Sequence, residues 1–282
     1  MKFFSTLFVA LMLPVLAFAQ QVPDTVTVFT IGDSTMANKP LDNENQERGW
    51  AQILPIYFTG NVRIDNHAVN GRSSKSFISE GRWDKVLGLI RPGDYVIIQF
   101  GHNDEKAKSP DRYTVPGSTF DDNLRKFVNE ARAKGATPIL MNSIVRRNFP
   151  YRGVGAQETD DRQKTWKKGL DKYPPEGDTL VDTHGEYVVA PRRVAEELGV
   201  AFIDMNTLTH DLVQGLGRDK SKDLFMWIPA GEFAFAPEGR IDNTHLRVKG
   251  AVLISLIAAQ QLAEKVPALR PYIRETIYNL NK

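Results

Sequence analysis

A chain of 282 residues with 36 basic and 34 acidic side chains carries a formal charge of only +2. No basic tract breaks that balance, which excludes a nucleic-acid binder held by phosphate contacts. Cysteine is absent, which excludes a disulfide scaffold, thiolate zinc sites and cysteine nucleophiles.

The chain opens with Met1-Lys2, an apolar run over 3–18 interrupted by Pro14, and Ala17-Phe18-Ala19 ahead of Gln20. A short basic start, an apolar middle and small residues two apart form the pattern of a cleavable secretory leader. The run is short for a bilayer span. Cleavage after Ala19 is therefore expected, leaving residues 20–282 as a single domain, secreted or periplasmic, with no membrane span. About 260 residues suffice for one large core.

Short β-branched runs then alternate with helical patterns. Residues 26–31 (VTVFTI), 62–69 (VRIDNHAV), 95–100 (YVIIQF), 138–142 (PILMN) and 200–204 (VAFID) read as five strands, largely apolar on both faces as buried parallel strands are. Phe120, Leu124, Phe127, Val128 and Ala131 share one helical face, with Ser118 or Thr119 as cap and Gly135 as stop. Leu208, Leu212, Val213 and Leu216 repeat the pattern behind Asn206, and 252–263 is almost wholly apolar. The alternation predicts an α/β protein, a three-layer α/β/α sandwich on a mostly parallel five-stranded sheet. Residues 149–179, rich in charge, glycine and proline, fit no element and are expected to form an excursion over the active-site face.

Parallel strands deliver residues to their carboxyl edge, where ligands bind in such folds. The polar residues expected there are Asp33 and Ser34, Asn70 and Gly71, and His102, Asn103 and Asp104. Downstream, Asp242-Asn243-Thr244-His245 precedes the apolar C-terminal helix. Read as a helical turn, this segment puts Asp242 and His245 on one side, so that the carboxylate orients the imidazole. Ser34, on a tight turn opened by Gly32, has the exposure a nucleophile needs, and amides of a following helix start could stabilise developing negative charge. A lone Gly-Asp-Ser triplet is more often an ordinary turn with a capping side chain. The other blocks, in order, change that weighting.

Together these residues resemble the SGNH, or GDSL, hydrolase family. Gly32-Asp33-Ser34 matches its first block, Gly71 its second, Gly101-His102-Asn103-Asp104 its third and Asp242 to His245 its fifth; the fourth is not evident. Within the family, GDSTM (32–36), NGRSSKSF (70–77), QFGHND (99–104), DNTHL (242–246) and DTHGEY (182–187) look closest to rhamnogalacturonan acetylesterases of carbohydrate esterase family 12. Met36 stands where many of that group carry valine.

The resemblance implies a flavodoxin-like SGNH fold and a serine esterase with the triad Ser34, Asp242 and His245. It also implies an oxyanion hole made by the backbone N–H groups of Ser34 and Gly71 with the Asn103 amide, and no metal or cofactor. The implied substrate is an acetylated polysaccharide such as rhamnogalacturonan, deacetylated through an acyl-enzyme on Ser34. The alternatives are another acylated glycan (xylan or sialic acid), a lipid ester, or, in a different class, a non-catalytic glycan-binding protein.

The candidates for holding substrate are His102, Arg72, His184 and Trp227. Each has a plainer reading beside it: His102 satisfies a backbone carbonyl, His184 makes a structural hydrogen bond, and Arg72 satisfies loop carbonyls together with Ser73 and Ser74. Of Trp50, Trp83, Trp166 and Trp227, the last two fall in open loops, and tryptophans are mostly buried. His67 and His210 read as structural or solvated.

Overall fold

The computed structural model describes residues 25–149 and 179–278. The expected leader, and all of the 149–179 stretch except its two end residues, lie outside the described residues. Among those described, no helix is long and apolar enough to cross a membrane.

Five strands, β1 (Val26–Gly32), β2 (Val62–Asn66), β3 (Tyr95–Gln99), β4 (Thr137–Met141) and β5 (Ala201–Ile203), form one parallel sheet in the order β2-β1-β3-β4-β5. Its central strands are buried on both faces, as their apolar runs require: all five residues of β3 are buried, whereas β2, at an edge, keeps Arg63 exposed. β2 stops at Asn66, because the N–H of His67 and of Val69 turn to the carbonyls of Thr30 and Gly32 and lead the chain across the end of β1.

Alternate side chains of the sheet feed two apolar layers. Val26, Val28, Ile97, Ile139 and Met141 pack with α1 (Trp50–Ile53), α6 (Met205–Lys220) and α7 (Val248–Lys265). Phe29, Ile31, Val96, Ile98 and Leu140 pack with α2 (Ser74–Ser79), α3 (Arg82–Leu87), α4 (Thr119–Ala133) and α5 (Glu186–Leu198). The second layer holds an aromatic group in which Phe127 stacks on Phe100 and meets Trp83 edge-on. Helices on both faces of a parallel sheet make the expected α/β/α sandwich.

Local chemistry departs from expectation in three places. Ser118 occupies the N-cap of α4 with no hydrogen bond from a backbone N–H to its side chain; instead Thr119 Oγ1 accepts from Val115 N–H and Asp121 Oδ2 from Gly117 N–H, so the preceding turn is tied down by residues inside the helix. The cap of α6 is Asp204, whose Oδ1 accepts from Thr207 N–H, while Asn206 joins segments by donating to Ser143 O and Asp182 Oδ1. The chain between α6 and α7 forms an antiparallel hairpin, β6 (Phe225–Ile228) and β7 (Arg240–Leu246), that no alternation in the sequence announces.

Helix α7 docks by close backbone approach at Gly250, where an added Cβ would lie 2.1 Å from Leu224 O. The same carbonyl accepts from Arg247 N–H, so neither partner can retreat without losing the helix entry. Gly250→Ala should therefore destabilise the fold by about 1–3 kcal/mol through overpacking. Urea denaturation of the two proteins measures the difference.

Candidate active site

Ser34 leaves the carboxyl end of β1 on a single tight turn in which the N–H groups of Met36 and Ala37 both reach Asp33 O. No helix follows directly, contrary to expectation; α1 begins only at Trp50. Asp33 points inward, fully buried, with Oδ1 accepting from the backbone N–H and the hydroxyl of Thr35, each at 2.9 Å. Burial pushes its carboxyl up, against the pull of those two hydrogen bonds and of the Arg146 and His245 charges. Under the turn, the buried Gln99 amide accepts from Trp50 Nε1 at 3.1 Å and donates to Asn142 O at 2.8 Å, joining α1, β3 and the end of β4.

Asp242 and His245 lie on β7, not on the helical turn expected from their spacing. Phe225 pairs with Leu246 and Met226 with Asp242, so residues 243–245 bulge out of the ladder. Within the bulge, Asp242 Oδ1 accepts from the N–H groups of Thr244 (2.8 Å) and His245 (2.9 Å). The three-residue spacing works because the carboxylate folds the bulge around itself. His245 Nδ1 then donates to Asp242 Oδ2 at 2.7 Å, and its Nε2 lies 2.9 Å from Ser34 Oγ. A proton on Nδ1, facing a carboxylate, leaves Nε2 as acceptor for the serine hydroxyl. Burial alone would raise the Asp242 carboxyl, but the His245 hydrogen bond and charge, with the Arg240 charge, hold it far below the usual carboxylate range.

Gly71 follows β2 with φ +75°, and a Cβ there would meet nothing nearer than the Arg112 guanidinium at 3.9 Å. Glycine serves this position for its backbone conformation rather than for space. Asn103 is 2 % exposed; its Nδ2 donates to Arg72 O at 3.1 Å and its Oδ1 accepts from Lys106 Nζ at 2.8 Å. The loop after β3 is thus pinned to the Gly71–Arg72 loop, and the second Asn103 amide proton is not used by that bond.

The proposed substrate contacts are placed less openly. Arg72 donates to Glu80 Oε2 and to Asn70 O. His102 is buried against His184, ring centroids 4.5 Å apart. His184 is buried too, with Nε2 facing Ile144 O at 3.1 Å and Nδ1 between Glu105 Oε2 and Arg146 Nη1. Trp227 lies on β6 rather than in an open loop; its Nε1 donates to Asn243 Oδ1 at 2.8 Å, and the Arg147 guanidinium and Lys222 ammonium lie 4.6 and 4.7 Å from its ring centroid. Trp50 and Trp83 are in the core, and Trp166 is outside the described residues. His67 pairs with Asp65, and His210 approaches Leu180 O.

Several residues that hold this arrangement carry no motif. Arg146 and Arg147, each 3 % exposed, run from the end of β4 to the bulge. Arg146 Nε donates to Thr244 Oγ1 and its Nη2 pairs with Glu105 Oε1 at 2.8 Å; Arg147 N–H donates to Asn243 O, and its Nη1 to Asn243 Oδ1. The adjacent arginines directly after Ile144-Val145 were the available signal, because a charge buried beside apolar residues must be paired. Phe149 is buried and Asn148 pairs through backbone and side chain with Val181, so the two ends of the expected excursion lie side by side next to these arginines.

The GDSL-like Lipase/Acylhydrolase family matches residues 30–250. The rhamnogalacturonan acetylesterase RhgT of Bacillus subtilis (strain 168) is 35% identical over 239 residues, covering 85% of this chain and 90% of its own. A rhamnogalacturonan acetylesterase of Emericella nidulans is 25% identical over 232 residues, 81% of each chain. The crystal structure of the Bacillus subtilis protein YXIM shares the fold with a TM-score of 0.65 at 24% identity, over 85% of this chain and 56% of that one.

Asp104 supports the site from below. Fully buried, it accepts from Ser74 N–H and Oγ and from Thr114 Oγ1. Burial pushes its carboxyl up to about 7, with the Asp33 charge adding to the rise and the Ser74 and Thr114 hydrogen bonds opposing it. A carboxyl raised on folding contributes stability that is complete below its unfolded value, about 3.9, and is lost as pH climbs through the folded one. Between pH 8 and pH 5, wild type should gain about 3 kcal/mol of stability over Asp104→Asn. Denaturant unfolding at both pH values reads this directly, and parallel curves for the two proteins would reject it.

Proposed function

The chain belongs to the GDSL-like lipase/acylhydrolase family, and from that premise we propose that it is an esterase that removes acetyl groups from a pectic polysaccharide such as rhamnogalacturonan, through an acyl-enzyme on Ser34. The observation that carries the chemistry is the unbroken line from Ser34 Oγ through both nitrogens of His245 to Asp242 Oδ2, at 2.9 and 2.7 Å.

In this reading His245 Nε2 takes the Ser34 proton as Oγ attacks the ester carbonyl, and returns it to the departing sugar hydroxyl. Asp242 holds the imidazole by Nδ1 and stabilises the imidazolium that forms. The oxyanion is received by the N–H groups of Ser34 and Gly71 and by the second amide proton of Asn103, whose other proton and carbonyl oxygen are already fixed. Each such donor contributes about 3 kcal/mol to the transition state. Water, activated by His245 in turn, then cleaves the acetyl-enzyme. A pectic substrate is supported by the name and coverage of the 35% identical relative, and secretion by the leader-like residues 1–19, which such a substrate requires.

Ser34→Ala should lower turnover by several orders of magnitude while leaving the melting temperature nearly unchanged. Loss of fluorophosphonate labelling in that variant, together with labelling of wild type, separates an enzyme from a glycan-binding protein on the same fold. Acetate release compared across acetylated rhamnogalacturonan, acetylated xylan and short lipid esters tests the substrate; preference for either of the latter two overturns the pectic reading.

The pH profile gives a second check. Asp242, held far below the carboxylate range, stays ionised throughout, so loss of rate on the acid side marks protonation of the His245 ring, which can then no longer act as base. Asp242→Asn should reduce kcat by about 1,000-fold or more, because an amide cannot enforce the tautomer or stabilise the imidazolium. An indifferent variant, or a flat profile from pH 4 to 9, would reject the pairing.

A further inference from the structure

Asp242 Oδ2 has a second partner. Arg240 Nη2 donates to the same oxygen at 2.6 Å, and lies 3.5 Å from His245 Nδ1. Arg240 Nη1 bonds Glu47 Oε2 at 2.6 Å, and the other Glu47 oxygen meets Lys39 Nζ at 2.7 Å. Lys39, its side chain 3 % exposed, also donates to Asn70 Oδ1, the residue before Gly71. This line of alternating charge joins the carboxylate of the triad to the loop that carries an oxyanion donor.

The sequence separation is large, and the fold closes it by backbone pairing. Arg48 N–H donates to Leu246 O, Val248 N–H donates to Gln46 O, and Glu47 bridges Arg247. The loop between β1 and α1 is thereby laid beside the end of β7, and Glu47 faces Arg240. An arginine that shares a carboxylate oxygen with a histidine does two things. It gives Oδ2 a second donor, so that this oxygen is held from two directions while the backbone N–H groups of Thr244 and His245 hold Oδ1, and it opposes the accumulation of positive charge on the ring. Glu47 offsets the second effect.

We propose that Arg240, seated by Glu47 and Lys39, is a positioning residue for the Asp242–His245 pair and sets the balance of charge at the imidazole. The inference rests on the esterase reading for its kinetic consequence, but not for its structural one. The charged groups near the ring are Asp242 and Arg240 on its own strand, Glu47 from the β1–α1 loop with Lys39 paired behind it, and Asp33 behind Ser34, with Arg146 bonded to the adjacent Thr244. Burial of Glu47 is outweighed by the His245 and Lys39 charges, which hold its carboxyl below the usual range, so it acts as an anion.

The test compares R240Q, R240K and E47Q with wild type. R240Q removes a cation beside the ring, so the acid limb of kcat/KM should move to higher pH by about half a unit or more, and E47Q, which removes an anion, should move it to lower pH. R240Q should also lose about 10- to 100-fold in kcat on p-nitrophenyl acetate with KM changed by less than about two-fold, and R240K should recover part of that loss. The His245 ring titration followed by NMR should move in the same opposed directions, a readout that needs no turnover and so stands even if the protein proves not to be an esterase. A role confined to folding would move both variants together; shifts of the same sign, or none, in folded R240Q and E47Q overturn the proposal.

Discussion

A carboxylate taken largely out of water must be satisfied at both oxygens, and the Asp242 carboxylate imposes that demand on everything around the site. One oxygen is satisfied locally, by two backbone N–H groups that exist only because β7 bulges between Asp242 and Leu246. The other is shared by His245 and Arg240. Arg240 in turn needs an anion, which is Glu47, and Glu47 is flanked by Lys39. The hairpin, the loop after β1 and the loop after β2 are placed relative to one another by a requirement that begins at a single side chain.

The bulge is braced from its other side as well. Arg147 reaches both the backbone and side-chain oxygens of Asn243, whose Oδ1 also accepts from Trp227, and Arg146 reaches Thr244. Each residue between Asp242 and Leu246 is therefore bonded to something outside the hairpin or to Asp242 itself. A short antiparallel ribbon is a weak structure on its own; these ties give it the fixed geometry that a nucleophile–base contact requires. They cost two buried guanidinium groups, Arg146 and Arg147, each compensated by acceptors.

Rigidity at the serine comes from the sheet. Ser34 stands at the end of a strand that lies between β2 and β3, and Gln99 fastens the end of the neighbouring strand to Trp50 and to Asn142. Ser34 is thus held by the buried core of the molecule, while His245 is held by a polar lattice. The two are brought within 2.9 Å by α7, whose start docks on Leu224 through Gly250 just after the hairpin ends.

Strand positions and the layered α/β/α class were legible in the chain, and the expected trio Ser34, Asp242 and His245 is brought into one hydrogen-bonded line by the fold. Continuous apolar runs can only be buried strands or helices, Val26 to Gly32 and its successors are short and β-branched, and the polar blocks fall where such strands must end. What the chain alone did not reveal is how Asp242 meets His245. A spacing of three reads as a helical turn, and a bulged strand folded around a carboxylate satisfies the same spacing. The bonds at helix starts were open for a similar reason: Ser118, Thr119, Asp204 and Asn206 can all accept from a backbone N–H, and packing at the turn chose among them. Arg240 and the Lys39–Glu47 pair were invisible as a group because they are charged residues in segments far apart, each individually ordinary on a surface. Apolar periodicity is a local property and survives translation into structure almost unchanged. Charge pairing depends on which segments the fold lays side by side, and only the tertiary structure decides that.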